Sequence, residues 1–139
     1  MNDLGPVLIT GASSGIGAAT AARLTRAGHT VYATARKADA LADLADAGAQ
    51  TRSLDVTDDA SMRAVVDEIV EAHGRVGGLV NNAGYGTYGA VEDVPMEAAR
   101  AQFETNVFGV RGLLRLFDAL QRAQSTSSSR TSRSGNFGR

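Results

Sequence analysis

Short runs that contain β-branched residues alternate with longer segments of helical periodicity along the first 80 residues. The short runs predict four strands, at residues 6–10, 30–34, 50–54 and 79–80. The segments between them predict three helices, at residues 15–27, 39–47 and 58–72. Gly28 and Gly48 are predicted to end the first two helices, and Thr57 is predicted to cap the third.

A longer helical pattern follows a loop at residues 81–95. Residues 97–121 predict one continuous helix, in which apolar side chains recur every three or four positions and form a single face: Phe103, Val107, Val110, Leu114 and Phe117. Strands that alternate with helices through short connections predict βαβ units, with a parallel sheet between two layers of helices. The predicted fold class is therefore α/β, a Rossmann-like doubly wound parallel sheet.

The composition of the chain excludes several kinds of functional site. The chain has no cysteine and only two histidines, which excludes disulfides, a thiolate nucleophile and a zinc cluster built on these residues. Fourteen basic residues against 15 acidic ones give a formal charge of −1, which disfavours a nucleic-acid binder. Neither a basic leader nor an apolar stretch of about 20 residues is present, so we expect a cytoplasmic protein that does not enter a membrane.

The charge is unevenly distributed along the chain. Residues 124–139 carry three arginines and no acid, whereas residues 1–123 carry a formal charge of −4. The same segment holds six serines and two threonines, and Phe137 is its only large apolar residue. We therefore predict a nucleotide-binding domain at residues 1–123 and a Ser/Arg-rich tail at residues 124–139, which we expect to be disordered or to be frameshifted sequence.

A glycine-rich turn at residues 10–17 (TGASSGIG) joins the first strand to the first helix. Gly11 can turn the chain, Gly15 lets the backbone approach a ligand, and Gly17 lets helix and strand pack closely. The start of the helix presents free N–H groups and about half a positive charge to a phosphate. This context favours a dinucleotide site, and the alternative is a purely structural turn.

The residues after the second strand indicate which dinucleotide the site would bind. NAD-selective sites usually place an acid about 20 residues beyond the glycines, where it binds the ribose 2′-hydroxyl. This chain has Arg36 and Lys37 there, 19 and 20 residues beyond Gly17. A guanidinium can bind a 2′-phosphate with two hydrogen bonds, and the hydroxyl of Ser13 or Ser14 can add another. NADP is therefore favoured over NAD, with a solvated basic pair as the alternative.

Taken in order, these motifs resemble the short-chain dehydrogenase/reductase family over about residues 5–121. The turn with Gly11, Gly15 and Gly17 is similar to the family's cofactor turn. Further along, LDVT at residues 54–57 and NNAG at residues 81–84 match segments that line its cofactor cleft. The resemblance implies that this is the N-terminal, cofactor-binding half of such a domain. It assigns the cofactor to Gly11, Ser13, Ser14, Gly15, Ile16, Gly17, Arg36, Lys37, Asp55, Val56, Asn82, Ala83 and Gly84.

The resemblance also implies a reaction, reversible hydride transfer between the nicotinamide and a small alcohol or carbonyl substrate. In the family a tyrosine exchanges the proton, and a lysine four residues later lowers its pKa, because a phenol with a pKa near 10 is a poor base at neutral pH. A serine orients the carbonyl, and a helix asparagine, matched here by Asn106, holds a water in the proton relay. Family members are often homo-oligomers.

Structural interpretations of the same residues stay open. Asp55 can cap the following helix, Asn82 can be a turn residue, and Asn106 can be a buried, hydrogen-bonded amide. Tyr85 and Tyr88 are candidates either for substrate contact or for packing.

The chain departs from the family pattern at the tyrosine and lysine. The only lysine is Lys37, and the residues four positions after the three tyrosines are Arg36, Gly89 and Glu92. No serine follows a fifth apolar strand either. We interpret this as a truncation or frameshift after Gln121, which leaves four strands in the order 3-2-1-4 with the fourth as an exposed edge. Three functions are open: an NADP-dependent oxidoreductase that lacks its catalytic half, a catalytically silent NADP(H)-binding fragment or partner subunit, or an NADPH-sensing or structural module whose basic tail contacts an acidic partner.

Overall fold

The computed structural model describes residues 4–131, with side chains described as far as residue 126. Four parallel strands form one sheet in the order β3-β2-β1-β4. Their bounds are β1 Val7–Ile9, β2 Val31–Ala35, β3 Gln50–Ser53 and β4 Gly78–Val80. In the register, Leu8 of β1 lies between Tyr32 of β2 and Leu79 of β4. The predicted fold class and strand order are confirmed.

Helices cover both faces of the sheet. Their bounds are α1 Gly15–Arg26, α2 Ala42–Asp46, α3 Asp59–His73, α4 Met96–Phe103 and α5 Val110–Thr131. Because strand side chains alternate between faces, Val7 and Ile9 pack in one core with residues of α1 and α2, and Leu8 packs in the other with α3 and α5. Among the described residues, no helix is both long enough and apolar enough to cross a membrane.

The second predicted helix is shorter than expected. A single 3-10 turn at Ala38–Leu41 precedes α2, because Leu41, at φ −109° and ψ 10°, leaves the helical conformation. Leu41 and Leu44 are both buried against the sheet. A spacing of three residues therefore places both side chains in the core without one continuous helix.

The predicted cap of the third helix is wrong by one residue. α3 begins at Asp59, and the carboxylate of Asp58 accepts hydrogen bonds from the N–H groups of Ala60, at 2.9 Å, and Ser61, at 3.3 Å. Thr57 instead donates its N–H and its hydroxyl to Asp55. An aspartate is at least as good a cap as a threonine, and Asp58 stands directly before the first helical residue.

The long helix predicted over residues 97–121 is interrupted. A π-helical segment at Glu104–Gly109 separates α4 from α5. A π turn takes up an extra residue, so side chains three and four positions apart no longer stay on one side of the helix. The predicted apolar face is therefore only partly a core face: Phe103 is 58% exposed and Leu114 is 50% exposed, whereas Phe117 packs against the core that contains Leu113.

The predicted tail begins inside α5, which continues through residues 124–131. The side-chain amide of Gln124 donates to the carbonyl of Gly74 at 3.0 Å, so the first tail residue still contacts the domain. The hydroxyls of Ser125 and Thr126 donate back to the carbonyl of Arg122, one turn earlier. The rest of the predicted tail, residues 132–139, lies outside the described residues.

Candidate cofactor-binding site

The glycine-rich turn between β1 and α1 is shaped by close backbone contacts. A Cβ on Gly17 would lie 2.4 Å from the carbonyl oxygen of Gly11, and a Cβ on Gly11 would lie 2.7 Å from the Cα of Ala83. Gly15 differs, because apart from its chain neighbours and the backbone of its own helix nothing lies within 4 Å of its Cβ position, and its φ of +58° favours glycine. The turn is therefore tight on its inner side and open at Gly15, where a ligand can approach the backbone.

Side chains from both neighbouring strand ends hold this turn. The hydroxyl of Thr10, which is 1% exposed, accepts hydrogen bonds from the N–H groups of Asn82, at 3.1 Å, and Ala83, at 3.0 Å. The side-chain amide of Asn82 donates to the carbonyl of Gly11 at 3.0 Å. Thr10 is not among the residues predicted for the site. Its sequence signal is a polar residue at the end of a buried strand, next to the first glycine.

A cavity of about 1070 Å³ lies at the carboxyl ends of the strands, above this turn. Its volume is slightly above the range of about 300–1,000 Å³ that is usual for small-molecule sites. Most of the predicted cofactor residues line it: Gly11, Ser13, Ser14, Gly15, Ile16, Arg36, Asp55, Val56, Asn82, Ala83 and Gly84. Gly17, Lys37 and Asn106 are not among the lining residues. Lining residues that were not predicted as cofactor contacts are Ala35, Leu54, Thr57, Tyr85, Ala101, Glu104 and Thr105.

The turn side of the cavity suits an anion. α1 begins at Gly15, and the N-cap residue before it, Ser14, makes no side-chain capping bond. The first turn of α1 contains no acidic residue that would repel a phosphate. The first N–H groups of a helix carry partial positive charge, and Arg36 adds a full charge at the end of β2. The cavity thus combines a helix N-terminus with one guanidinium.

Asp55 also lines the cavity and is held in a local loop. Its carboxylate accepts hydrogen bonds from the hydroxyl of Thr57, at 2.7 Å, and from the N–H of Thr57, at 2.9 Å. These two bonds, with a smaller contribution from the charge of Arg36, hold the pKa of Asp55 below its ordinary value, although partial burial opposes the shift. The Asp55 N–H in turn donates to the hydroxyl of Ser61. Asp55 is therefore a stable negative charge near Arg36.

Asn106 lies in the π-helical segment and bonds to the loop after β4. Its Oδ1 accepts from the N–H of Tyr85 at 3.1 Å, and its Nδ2 donates to the carbonyl of Tyr85 at 2.7 Å. Gln102, in α4, accepts a hydrogen bond from the N–H of Thr87 at 2.8 Å. Two side-chain amides therefore hold this loop against the helix. Tyr85 lines the cavity, whereas Tyr88 is 96% exposed.

Comparison with known proteins agrees with this arrangement. A 3-ketodihydrosphingosine reductase from Bacteroides thetaiotaomicron is 43% identical over 106 residues, which cover 75% of this chain and 37% of that protein. A short-chain dehydrogenase from Streptomyces avermitilis superposes with a TM-score of 0.81 at 41% identity, over 86% of this chain and 45% of that one. A metagenomic short-chain oxidoreductase in complex with NADP gives a TM-score of 0.79 at 32% identity, over 88% of this chain and 58% of that one.

The chain spans about two fifths of the length of the curated relatives it matches. The family model described as short chain dehydrogenase matches residues 6–127, which is most of the chain. With the parallel sheet and the glycine-rich turn already described, this match identifies the chain as a member of the short-chain dehydrogenase family.

Proposed function

We propose that this chain is the NADP(H)-binding part of an oxidoreductase that transfers hydride between a nicotinamide and a small alcohol or carbonyl substrate. The observation that carries the proposal is the cavity that brings the glycine-rich turn, the start of α1 and Arg36 together. The NADP complex of the metagenomic relative supports the choice of cofactor. We further propose a cytoplasmic location.

The lining residues suggest where each part of the cofactor binds. We assign the pyrophosphate to the backbone at residues 13–16, where Gly15 leaves open space and α1 begins. The adenine side is assigned to Asp55 and Val56, and the nicotinamide side to residues 82–84. The 2′-phosphate is assigned to Arg36, with Ser13 as a second donor. Lys37 is outside the cavity wall, so we expect it to contribute only weakly, through its charge.

Asn106 enters this proposal as a positioning residue. Both polar atoms of its side chain bond to the backbone of Tyr85, and Tyr85 lines the cavity. Asn106 therefore sets the shape of the nicotinamide-side wall. When bound, the cofactor supplies the hydride, and this chain supplies the surface that orients it and limits access of water.

A second candidate function is supported by the missing proton donor. The 139 residues contain no tyrosine followed four positions later by lysine, and the lysine they do contain is outside the cavity wall. Tyr85 lines the cavity, but the residue four positions after it is Gly89. This favours a catalytically silent NADP(H)-binding fragment, or a subunit that depends on a partner for proton transfer.

Cofactor titration followed by a turnover assay tests both candidates. We expect NADPH to bind at least about tenfold more tightly than NADH, because a charged hydrogen-bonded contact contributes about 1.5–3 kcal/mol. Arg36→Ala should weaken the binding of NADPH by about 10- to 100-fold and the binding of NADH by less than about threefold. Lys37→Ala is the matched control and should change neither appreciably. Tighter binding of NADH by the unmodified chain would contradict the role of Arg36.

The turnover assay then separates the two candidates. Reduction of any member of a panel of aldehydes and ketones by NADPH would support an active oxidoreductase with an unrecognised proton donor. NADPH binding without turnover would support the silent fragment. Failure of the unmodified chain to bind either dinucleotide would overturn both.

A further inference from the structure

Ser53 makes a hydrogen bond to the backbone of Arg36 that the cofactor assignment does not use. Ser53 is the last residue of β3, and its hydroxyl donates to the carbonyl oxygen of Arg36 at 2.8 Å. Arg36 is the first residue after β2. In the register of the sheet, Ser53 lies opposite Ala35, so the bond reaches one residue past the end of the paired strand.

This bond holds the chain where it leaves the sheet. The N–H of Leu54 donates to the carbonyl of Ala35 at 2.9 Å, and the Ser53 hydroxyl donates to the next carbonyl in the chain, that of Arg36. Beyond that point the chain turns into the 3-10 turn at Ala38–Leu41. An arginine side chain is long and has several rotatable bonds, so the placement of its guanidinium depends on how well its backbone is fixed.

Ser53 does not line the cavity. Arg36 lines the cavity, whereas Ser53 is not one of the described residues that do so. We therefore expect Ser53 to influence a ligand in the cavity through the Arg36 backbone, to which its hydroxyl bonds. A hydroxyl that only stabilised the sheet would affect every cofactor in the same way.

We propose that Ser53 is a positioning residue for dinucleotide selectivity: its hydroxyl fixes the backbone of Arg36 and thereby aims the guanidinium at the 2′-phosphate of NADP(H). This inference rests on the proposed function, because it assumes that Arg36 binds that phosphate. It adds a selectivity determinant on β3, a strand that the glycine turn and the basic pair do not include.

The test is a double-mutant cycle on the whole chain. Ser53→Ala should weaken binding of NADPH and of adenosine 2′,5′-bisphosphate by about three- to fivefold, as expected for loss of one neutral hydrogen bond, and should leave NADH within about 1.5-fold. Ser53→Thr keeps the hydroxyl and should restore NADPH affinity. In an Arg36→Ala background, Ser53→Ala should cause no further loss. Circular dichroism of each variant verifies that it is folded.

The possible outcomes separate this inference from the function on which it rests. Equal weakening of NADPH and NADH by Ser53→Ala, or a loss that persists when Arg36 is alanine, would overturn the positioning role and leave NADP binding intact. If the unmodified chain bound neither NADPH nor adenosine 2′,5′-bisphosphate, the proposed function would fail, and the role of Ser53 with it.

Discussion

The sheet region, residues 6–80, and the helical region, residues 81–126, differ in how completely they bury their apolar side chains. Every residue of β1 and β2 is buried, and α3 buries four large side chains: Met62, Val65, Val66 and Ile69. In the helical region Leu113 is the one large apolar side chain that is fully buried among those described. Phe103 and Phe108 are each more than half exposed.

The difference shows what an amphipathic pattern can and cannot predict. Apolar spacing of three and four residues correctly indicates a helix near residues 97–121, but it carries no information about which surface the helix packs on. The sheet of the described chain ends at β4, so it offers α5 a surface on one side. The apolar residues on the other side, among them Leu114, face outward.

Truncation of two adjacent leucines should show the largest difference in stability between a buried and an exposed side chain of the helical region. Leu113→Ala should lower the free energy of unfolding by about 2–4 kcal/mol, because it leaves a cavity in the core between α3 and α5. Leu114→Ala is the matched control and should cost less than about 1 kcal/mol, since that side chain is half exposed. Urea denaturation followed by circular dichroism measures both. Equal losses would mean that the Leu114 face is covered in solution.

The contact between the two regions can be tested at Gly17. Its missing Cβ leaves room for both the Gly11 carbonyl and the Asn82 side chain, each 2.4 Å from the Cβ position. Gly17→Ala should therefore lower the free energy of unfolding by about 1–3 kcal/mol. It should also weaken the binding of NADPH at least about tenfold, because it displaces the turn. Gly78→Ala, where the nearest atom is 3.5 Å away, should change both quantities little. If the two variants behaved alike in melting and titration experiments, the close packing assigned to Gly17 would be wrong.

The hydrogen bonds between Asn106 and Tyr85 test how the loop after β4 is held in the helical region. Asn106→Ala removes both bonds to Tyr85, so we expect a loss of about 1–2 kcal/mol and faster hydrogen exchange at the Tyr85 amide. Asn106→Asp keeps the acceptor and removes the donor, and should protect that amide about as well as the unmodified chain does. Unchanged exchange in Asn106→Ala would show that packing, rather than the amide, holds the loop.

The smallest expected effect is a response of the sheet region to acid. Hydrogen bonds from Arg52 lower the pKa of Glu68, and hydrogen bonds from Thr57 lower the pKa of Asp55. A lowered folded-state pKa stabilises the fold above the unfolded value of about 4, and this contribution is lost as pH falls through the folded value. The Glu68 side chain is 40% exposed, so solvent screening limits its share to less than about 1 kcal/mol.

Thermal melting between pH 7 and pH 3 measures this response. Glu68→Gln should flatten the pH dependence below about pH 4 and change the midpoint little at pH 7. Glu71→Gln, an exposed carboxylate on the same helix, is the control. A pH profile unaffected by Glu68→Gln would mean that the Arg52 contact does not stabilise the fold in solution.

Much of the sheet region could be predicted from the sequence because its signals are local. Each buried strand is a short apolar run, and the glycine spacing is characteristic of the turn that follows β1. The cap of α3 was misplaced because Thr57 and Asp58 are both acceptable caps and the bond from Thr57 to Asp55 decides between them. That choice depends on loop geometry, which residue type alone does not specify.

The helical region was harder to predict because its structure depends on contacts distant in sequence. The π-helical segment contains no proline or unusual residue type that would indicate it, and Asn106 within it bonds to Tyr85, 21 residues earlier. Lys37 was grouped with Arg36 because the two are adjacent, yet only Arg36 lines the cavity. Neighbouring residues at the end of a strand diverge in direction, and a linear motif does not show which one faces the site.

The hydroxyl of Thr10 has a consequence for how the protein acquires its site. Its two hydrogen bonds reach residues 72 and 73 positions later in the chain, and the bond from Asn82 to Gly11 spans 71. Contacts at such separation form late, because the entropy of closing a long loop must be overcome first. A growing chain that had reached residue 75 would contain every glycine of the turn and still lack the bonds that hold its shape. The glycine-rich turn is thus local in sequence but is completed only when β4 joins the sheet.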